Sequence, residues 1–297
     1  MKVRIGYSVG AGSGLADLDA FADIVDTLEA CRFDSVWVPE VLTATTLDPL
    51  TALGFAAGRT RKLKIGSHMV AVGRNPARLA KELATLDRVS GGRLLLTFVI
   101  GLAEGPELQA YGVAKGERTA VLDETLGLLR RFWAGECVHH EGTHFRYTDV
   151  SISPPPVQTP LEVWFGGMVP SALRRCGELA DGWIPGFITP ARAAGAKAAI
   201  DAAAAAAGRR IDPEHFGMNV MYSHGPLPDA ARARLAARNP ETDVDELVPT
   251  SLDRLRQRLD DYLEVGFSKF ILRCAQTPPS WPAELEALAE AVLPMQT

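Results

Sequence analysis

The segment from Trp164 to Leu173 carries the residue types best suited to holding an anion. In it, a predicted strand runs into the paired glycines Gly166-Gly167 and Met168, and a helix then begins with Pro170 near its first position. Glycines let main-chain N–H groups approach an oxyanion closely, and the helix N-terminus adds about 0.3–1 kcal/mol of attraction. The spacing alone fits an ordinary tight turn between strand and helix equally well.

Two side chains at the ends of other predicted strands are candidates for moving a proton. His68 ends an apolar strand, between Ser67 and Met69, and Glu40 follows the strand that includes Trp37. Imidazole and carboxylate groups are common general acids and bases in enzymes. The alternatives are a partly buried histidine bonded to main-chain carbonyls, which is the more frequent case, and a loop acid that caps a neighbouring helix.

The histidines and cysteines do not form a metal-binding pattern. Three histidines, His139, His140 and His144, lie close together, but no fourth ligand stands at helical or hairpin spacing. A surface hairpin explains them better, and we predict no metal site. The four cysteines lack a C-x-x-C spacing and are expected to be reduced, mostly buried thiols.

Composition limits the class of protein. With 297 residues, 47% of them hydrophobic, the chain is long enough to bury a large core, which excludes disorder. The net charge of −5 gives no support for binding nucleic acid. Charged residues, Gly or Pro interrupt every apolar stretch before the roughly 20 residues of a membrane helix, and no export signal precedes the first strand. A cytoplasmic protein without a membrane or nucleic-acid partner is therefore expected.

Short runs rich in Val, Ile and Phe alternate with helical stretches whose apolar residues recur with a period near 3.6. Asp48-Pro49 and Asn75-Pro76 each supply a capping side chain and a proline at the first helical position. The segment 137–160 breaks this rhythm and is interpreted as a hairpin and a connector. The first helix is predicted at Leu15–Cys31, and the eight strands are predicted at Val3–Val9, Asp34–Val38, Leu63–Val70, Arg93–Ile100, Glu162–Phe165, Gly182–Ile184, Phe216–Tyr222 and Lys269–Arg273.

Eight strands separated by helices predict an α/β fold, a (β/α)8 TIM barrel with loop insertions, formed by residues 1–297 as one domain. The alternative is a doubly wound open sheet. It lacks support because the turn Gly10-Ala11-Gly12-Ser13-Gly14 does not have the G-x-G-x-x-G spacing of dinucleotide sites. In a barrel, the site lies where the strands end, so the anion-binding and proton-moving candidates should meet at one mouth.

Several segments stand in a recognisable order along nearly the whole chain. They are Phe33-Asp34-Ser35-Val36-Trp37-Val38, Asp48-Pro49-Leu50-Thr51-Ala52-Leu53, the run from Arg74-Asn75-Pro76 to Asp87, Ser90-Gly91-Gly92-Arg93-Leu94, Gly166-Gly167 with Pro170-Ser171-Ala172-Leu173-Arg174-Arg175, and Asp181-Gly182-Trp183-Ile184-Pro185. In this order they resemble the bacterial luciferase-like monooxygenase superfamily.

The resemblance implies a TIM barrel that binds FMN or the 5-deazaflavin coenzyme F420 at its mouth, often as a homodimer. In that family a bulge after the third strand, frequently with a cis peptide between non-proline residues, backs the central ring, and here the position falls on His68-Met69. The phosphate would lie at Gly166-Gly167. From their positions at the strand ends, Glu40 or His68 is predicted to handle a proton in catalysis. Ser67, His68, Met69, Gly101, Gly166, Gly167 and Met168 are predicted to bind the cofactor.

The chain departs from the sugar-phosphate dehydrogenases of the F420 branch, which resemble it in other respects. They place Asp-His after strand two and an acid after strand four, where this chain has Glu40-Val41 and Leu102. Dehydrogenation of a sugar phosphate is therefore not expected, and the acid/base pair of that branch is not carried over.

Hydride transfer between F420 and a small organic substrate is the leading hypothesis. One alternative is an FMN-dependent monooxygenase supplied by a separate cofactor reductase. Another is a barrel that has lost catalysis and only carries the cofactor. The substrate is not readable because the walls come from the loops 43–47, 103–112 and 225–250, although Leu42, Leu47 and Leu102 favour a mainly apolar pocket.

Overall fold

Eight parallel strands form the central sheet of the computed structural model, which describes residues 1–10, 17–101 and 105–297. The strands are β1 (Arg4–Ser8), β2 (Ser35–Trp37), β3 (Lys64–Val70), β4 (Leu94–Val99), β7 (Val163–Phe165), β8 (Gly182–Trp183), β9 (Gly217–Tyr222) and β10 (Lys269–Cys274). The neighbours in the sheet follow the order β8-β7-β4-β3-β2-β1-β10-β9, and a bridge between Trp183 and Phe216 joins its two edges, so the barrel is nearly closed.

Helices cover the outside of this sheet. A separate antiparallel hairpin, β5 (Val138–Glu141) and β6 (Arg146–Val150), lies in the segment predicted to break the rhythm. The helices are α1 (Leu18–Cys31), α2 (Pro49–Arg59), α3 (Pro76–Ser90), α4 (Pro106–Ala110), α5 (Arg118–Trp133), α6 (Pro170–Leu179), α7 (Pro190–Ala206), α8 (Asp229–Arg238), α9 (Val244–Leu247), α10 (Leu252–Glu264), α11 (Trp281–Val292) and the 3-10 turn Leu293–Met295.

The eight predicted strands and the barrel class are confirmed, with strand ends that differ from the sequence prediction by one residue or so. The first helix begins at Leu18, after the capping residue Asp17, whereas the sequence prediction started it at Leu15, which lies outside the described residues. The short helices α4 and α9 were not predicted, because four or five residues are too few to establish a helical period.

Two helix starts follow from capping chemistry, as the sequence predicted. The Asp48 carboxylate accepts from the Thr51 N–H at 2.9 Å, and the Asn75 side chain accepts from the Arg78 N–H at 3.1 Å. Each cap satisfies an N–H group that has no helical acceptor, and the following proline has no N–H to satisfy. These starts fix where α2 and α3 leave the barrel mouth.

In the barrel interior, two tryptophans are each paired with a glycine on the neighbouring strand. Trp37 on β2 is paired in register with Gly66 on β3, and a Cβ on Gly66 would lie only 2.5 Å from the Trp37 ring. On the other side, Trp164 is paired with Gly182 in the same relation. Each indole therefore lies across the neighbouring strand, which closes the floor beneath the mouth.

The described helices include none that combines the length and the apolar character needed to cross a membrane.

Candidate functional site

A cavity of about 890 Å³ opens at the carboxyl ends of the strands. Its size lies in the upper part of the range found for ligand pockets, roughly 300–1,000 Å³. Apolar and glycine residues supply most of the wall. The lining residues are Gly10, Pro39, Glu40, Val41, Val70, Phe98, Val99, Ile100, Gly101, Glu107, Tyr111, Leu122, Phe165, Gly166, Gly167, Met168, Val169, Ala172, Arg175, Phe187, Met221, Ala231, Arg234, Leu235, Arg273, Cys274, Ala275, Gln276 and Thr277.

The glycine pair lines this cavity directly before α6. Gly167 has a φ of +98°, a conformation that favours glycine, and its carbonyl accepts from the buried Trp183 Nε1 at 3.1 Å. A Cβ on Gly166 would lie 3.1 Å from Val99 Cγ1, and one on Gly167 would lie 3.2 Å from the Cβ of Ala172. A side chain at either position would therefore be tightly packed, and glycine leaves the peptide groups open to a ligand.

The start of α6 adds the field of a helix N-terminus to this turn. No side chain caps the helix, which begins at Pro170 after the N-cap residue Val169. The N–H groups of Ala172 and Leu173 bond back to the Val169 carbonyl, so Ser171 supplies a first-turn N–H that has no helical acceptor. This geometry suits a phosphate or carboxylate group.

Arg175, one turn further along α6, lies in the cavity wall and is nearly buried. Its guanidinium bonds to Asp123 on α5, with Nε 3.0 Å and Nη2 2.6 Å from Oδ1, and its Cζ lies 5.6 Å from the centre of the Phe165 ring. The preceding Arg174 is exposed and pairs with Glu178. Arg175 therefore lies beside the glycine turn as one half of an ion pair with Asp123, whereas Arg174 belongs to the solvated face.

Glu40 lies in the wall with its side chain only 1% exposed. One carboxylate oxygen accepts from the Val70 N–H at 2.8 Å, and the other accepts from Arg74 Nη2 at 2.5 Å. Although burial by itself lowers the pKa of Arg74, the Glu40 carboxylate outweighs it and the pKa is raised. Because both oxygens are engaged, Glu40 joins the ends of β2 and β3 and holds the guanidinium at the mouth.

An acid follows β4, contrary to the prediction from position 102 alone, where the chain has a leucine. Glu107 on α4 lines the cavity and accepts from the Leu42 N–H at 2.8 Å and from the Thr43 hydroxyl at 2.6 Å. The Tyr111 hydroxyl donates to the same carboxylate at 2.9 Å. Burial raises the pKa of Glu107, but these donors outweigh it and the pKa is lowered. The carboxylate therefore fixes the loop after β2 as an anion.

The three residues predicted at the end of β3 do not line the cavity. Along β3 the interior face carries Gly66, His68 and Val70, and Val70 alone of these reaches the cavity wall. Ser67 and Met69 point to the helix layer and are fully buried, with the Ser67 hydroxyl donating to the Val38 carbonyl at 2.8 Å. Their assignment to cofactor binding stays a prediction.

The expected bulge is also absent from β3, which pairs regularly with β4 through Val70. The His68–Met69 peptide is trans, and the cis peptides in the described residues precede Pro154 and Pro160. By contrast, Glu40, Gly101, Gly166, Gly167 and Met168 meet at the cavity, as the sequence analysis expected.

His68 lies inside the barrel below the cavity, stacked on Trp37 with ring centres 4.9 Å apart. Its Nε2 is 2.9 Å from Asn219 Oδ1. The Asn219 amide nitrogen donates to the Pro185 carbonyl, which orients its oxygen towards the histidine and makes Nε2 the protonated nitrogen. Burial lowers the pKa of His68 to about 4, although the bond to Asn219 opposes the shift. The ring is therefore neutral at pH 7 and supports the barrel interior.

This environment predicts a dependence of stability on pH. An unfolded histidine binds a proton below about pH 6.5 but the folded ring only below about pH 4, so the unfolded chain takes up more protons between these values. The His68 contribution is thus fully present above pH 6.5 and is lost as the pH falls towards 4. We expect it to reach about 1–3 kcal/mol.

Urea denaturation of the wild type and of His68→Gln, at pH 7 and pH 4.5, measures this contribution. The glutamine retains a donor for Asn219 but does not titrate. The difference in free energy of unfolding between the two pH values should be smaller in the variant by about 1–2 kcal/mol. Equal pH dependence in the two proteins would show that His68 is not the group responsible.

One group of three potential metal ligands stands out among the described residues: His224, Cys274 and Glu284. Within it, His224 Nε2 lies 3.0 Å from both Glu284 carboxylate oxygens, and the Tyr222 hydroxyl donates to one of them at 2.6 Å. Protein donors thus already engage the carboxylate, and the prediction of no metal site stays a prediction. His140, from the histidine-rich hairpin, bonds instead to Glu124 on α5 at 2.9 Å.

Three residues that hold the site together, Arg74, Glu107 and Arg118, were not predicted as site residues from the sequence. Arg74 was read only as part of a family segment, and Glu107 lay in a stretch treated as a variable loop. The Arg118 guanidinium, buried behind Gly101, donates to the Ile100 carbonyl at 2.6 Å and went unnoticed. A usable signal existed for Glu107, because Gly105-Pro106 is a helix start that places the next acid in a first turn.

Comparison with known proteins identifies the family of this chain. The family model described as luciferase-like monooxygenase matches residues 2–270. A phthiodiolone/phenolphthiodiolone dimycocerosates ketoreductase of Mycobacterium kansasii is 33% identical over 205 residues, covering 67% of this chain and 52% of that protein. An F420-dependent glucose-6-phosphate dehydrogenase of Nakamurella multipartita is 30% identical over 194 residues, covering 61% and 56%. The chain spans about half the length of these curated relatives.

Among solved structures, an F420-dependent secondary alcohol dehydrogenase in complex with an F420-acetone adduct is similar over 100% of both chains, with a TM-score of 0.83 and 20% identity. At this identity the likeness shows the fold. The match to the family model over most of the chain confirms the resemblance inferred from the sequence. The chain belongs to the luciferase-like monooxygenase family.

Proposed function

We propose that this chain is an oxidoreductase that uses coenzyme F420 to transfer hydride to or from the carbonyl or carbinol carbon of a small organic substrate. The observation that carries the proposal is the glycine turn in the cavity wall. There Gly166 and Gly167, where a Cβ would be tightly packed, present main chain to the cavity directly before an uncapped helix start. An anionic cofactor tail is the ligand that such a turn accommodates best.

The cavity fits a phosphorylated tricyclic cofactor in size and in charge. Its volume of about 890 Å³ leaves room for a substrate beside the ring. Arg175, Arg234 and Arg273 lie in its wall, and the two acids there, Glu40 and Glu107, are bonded to protein donors. The wall thus carries three arginines and two acids, and this excess of one positive charge favours an anionic ligand.

When bound, F420 supplies a two-electron hydride donor or acceptor. The chain's own residues would bind the cofactor, orient its ring and keep water away from it. The peptide groups of Gly166 and Gly167 would hold the phosphate, and Val70, Val99 and Met168 would present apolar surface to the ring. Glu40 acts as a positioning residue, because Arg74 and the Val70 N–H occupy its two oxygens.

F420 is favoured over FMN because a relative at 30% identity is named as F420-dependent. The alternative, an FMN-dependent monooxygenase supplied by a separate reductase, is favoured by the description of the family itself. The third candidate is a cofactor carrier without catalysis. Unlike the F420-dependent oxidoreductase and the FMN-dependent monooxygenase, it would never turn over its bound cofactor.

Titration of the purified protein with oxidised F420 and with FMN, followed by fluorescence, tests the cofactor assignment. We expect F420 to bind at least tenfold more tightly than FMN. Anaerobic mixing with reduced F420 and a set of ketones should then oxidise the cofactor with formation of the secondary alcohol. Tighter binding of FMN, with oxygen uptake in the presence of a flavin reductase, would reject the proposal in favour of the monooxygenase. Tight F420 binding without turnover of any ketone or alcohol would favour the carrier.

A further inference from the structure

Three exposed apolar side chains follow the strand ends on one side of the cavity mouth. Leu42, Ile100 and Val169 are 49%, 41% and 60% exposed, and they are among only seven large hydrophobic side chains of the described residues with such exposure. Ile100 and Val169 line the cavity, and Leu42 directly follows Val41, which also lines it. We refer to these three residues as the apolar arc.

Two contacts connect the chain at Leu42 and the chain next to Ile100 to the same pair of side chains. The Leu42 N–H donates to Glu107, which also accepts from the Tyr111 hydroxyl. A Cβ on Gly101, next to Ile100, would lie 3.3 Å from the Tyr111 ring. Leu42 and Ile100 therefore flank the same buried pair of side chains.

Val169 extends the arc to the next strand. Phe98 on β4 is paired in register with Phe165 on β7, so the residues that follow these two strands are neighbours at the mouth. The arc therefore runs along the ends of β2, β4 and β7.

The opposite side of the mouth is mixed. There α8, β10 and the segment after it contribute Arg234, Arg273, Gln276 and Thr277 to the cavity wall, beside the apolar residues Ala231, Leu235 and Ala275. The apolar arc, by contrast, continues inwards through Val70, Phe98 and Val99. Exposed apolar side chains that are continuous with a cavity wall are the usual surface for an apolar part of a ligand.

We propose that the apolar arc is a subsite for the hydrocarbon chain of the substrate, which is therefore an alkyl ketone or the corresponding secondary alcohol and not a small polar molecule. This inference rests on the proposed function for the reacting carbon. The chain would leave the cavity over Ile100 and lie between Leu42 and Val169. A second protein chain is a less suitable occupant, because the arc continues into the cavity and not onto a flat outer face.

A chain-length series measures this subsite. With reduced F420 as donor, kcat/KM is determined for 2-alkanones from 2-butanone to 2-decanone. A methylene group moved from water into apolar surroundings gains about 0.8 kcal/mol when fully covered, so we expect kcat/KM to rise about two- to fourfold per added methylene. In Ile100→Ser and Leu42→Ser the rise should be at most half as steep on a logarithmic scale.

Two matched controls carry the same kind of change away from the mouth. Val89 on α3 and Val157 in the connector after the hairpin are 60% and 50% exposed and do not line the cavity. Val89→Ser and Val157→Ser should keep the wild-type slope, and Val169→Ser should lower it. A wild-type slope near zero, or slopes lowered equally in the controls, would overturn the inference.

Binding of the same ketones, measured by calorimetry without turnover, separates this inference from the proposed function. If no ketone is reduced but affinity still rises with chain length and falls in Ile100→Ser, the subsite stands and the proposed reaction fails. If ketones are reduced with no dependence on chain length, the reaction stands and the subsite fails. If neither turnover nor chain-length-dependent binding is found, both are rejected.

Discussion

Replacing Gly167 by alanine is expected to weaken F420 binding about tenfold to a hundredfold. Two effects combine. The φ of +98° is strained for an L side chain, and the added Cβ would lie 3.2 Å from the Cβ of Ala172 in the first turn of α6. We expect the strain and the contact to be relieved by a shift of a few tenths of an ångström, which also moves the peptide groups proposed to hold the phosphate. Loss of one hydrogen bond to a charged group costs about 1.5–3 kcal/mol, which corresponds to this range of affinity.

A second glycine separates backbone strain from loss of the cofactor contact. Gly135 also has a positive φ, +79°, but no atom within 4 Å of its hypothetical Cβ, and it does not line the cavity. We expect Gly135→Ala and Gly167→Ala each to lower the free energy of unfolding by about 1–2 kcal/mol. Only Gly167→Ala should raise the Kd for F420, as measured by fluorescence titration. Unchanged affinity in a folded Gly167→Ala protein would remove the glycine turn from the cofactor site.

The barrel was predictable because its signals are local. Apolar runs, the capping pairs Asp48-Pro49 and Asn75-Pro76, and the spacing of the units all act over a few residues, and each appears in the structure close to its predicted position. The glycine pair at 166–167 was also found, because a strand, two glycines and a helix start are contiguous in the sequence.

The faces of β3 were less predictable, since a shift of one residue exchanges the two faces of a strand. Ser67, His68 and Met69 were all predicted to contact the cofactor ring, although successive residues of a strand point to opposite sides of the sheet. A local clue existed, because Gly66 leaves the space that Trp37 fills. His68 is two residues after Gly66 and therefore lies on the same face of β3. Its side chain points into the barrel, where it stacks on the Trp37 ring.

Pairs of residues distant in sequence escaped prediction for a different reason. Glu40 and Arg74 come from different loops, and so do Glu107 and Leu42; only the closed barrel brings each pair together. A single sequence contains no measure of such distances. The charge of Glu40 could be noted in advance, but whether it would face the substrate or an arginine could not.

The Glu40–Arg74 pair gives the second large effect. We expect Glu40→Gln to lower the free energy of unfolding by about 2–3 kcal/mol in urea denaturation, because the variant leaves the guanidinium without its buried counter-ion. Removing one partner of a fully buried pair costs about 3–5 kcal/mol, and the Arg74 side chain is one quarter exposed, which reduces the cost. Glu82 is the matched control, since its carboxylate lies 3.9 Å from the same guanidinium and is 34% exposed. Glu82→Gln should change stability by no more than about 0.5 kcal/mol.

The double variant Glu40→Gln/Arg74→Gln distinguishes a positioning role from proton transfer. Removing both charges eliminates the unpaired guanidinium, so stability should recover by at least half of the loss in Glu40→Gln. If Glu40 only positions the strand ends, kcat should recover with stability to within about tenfold of the wild type, and the pH profile should keep its shape. If kcat stays more than a hundredfold low in both variants and one limb of the pH profile disappears, Glu40 is the proton-transferring group and the positioning role is wrong. Because both oxygens of the carboxylate are already bonded within the protein, we expect the first outcome.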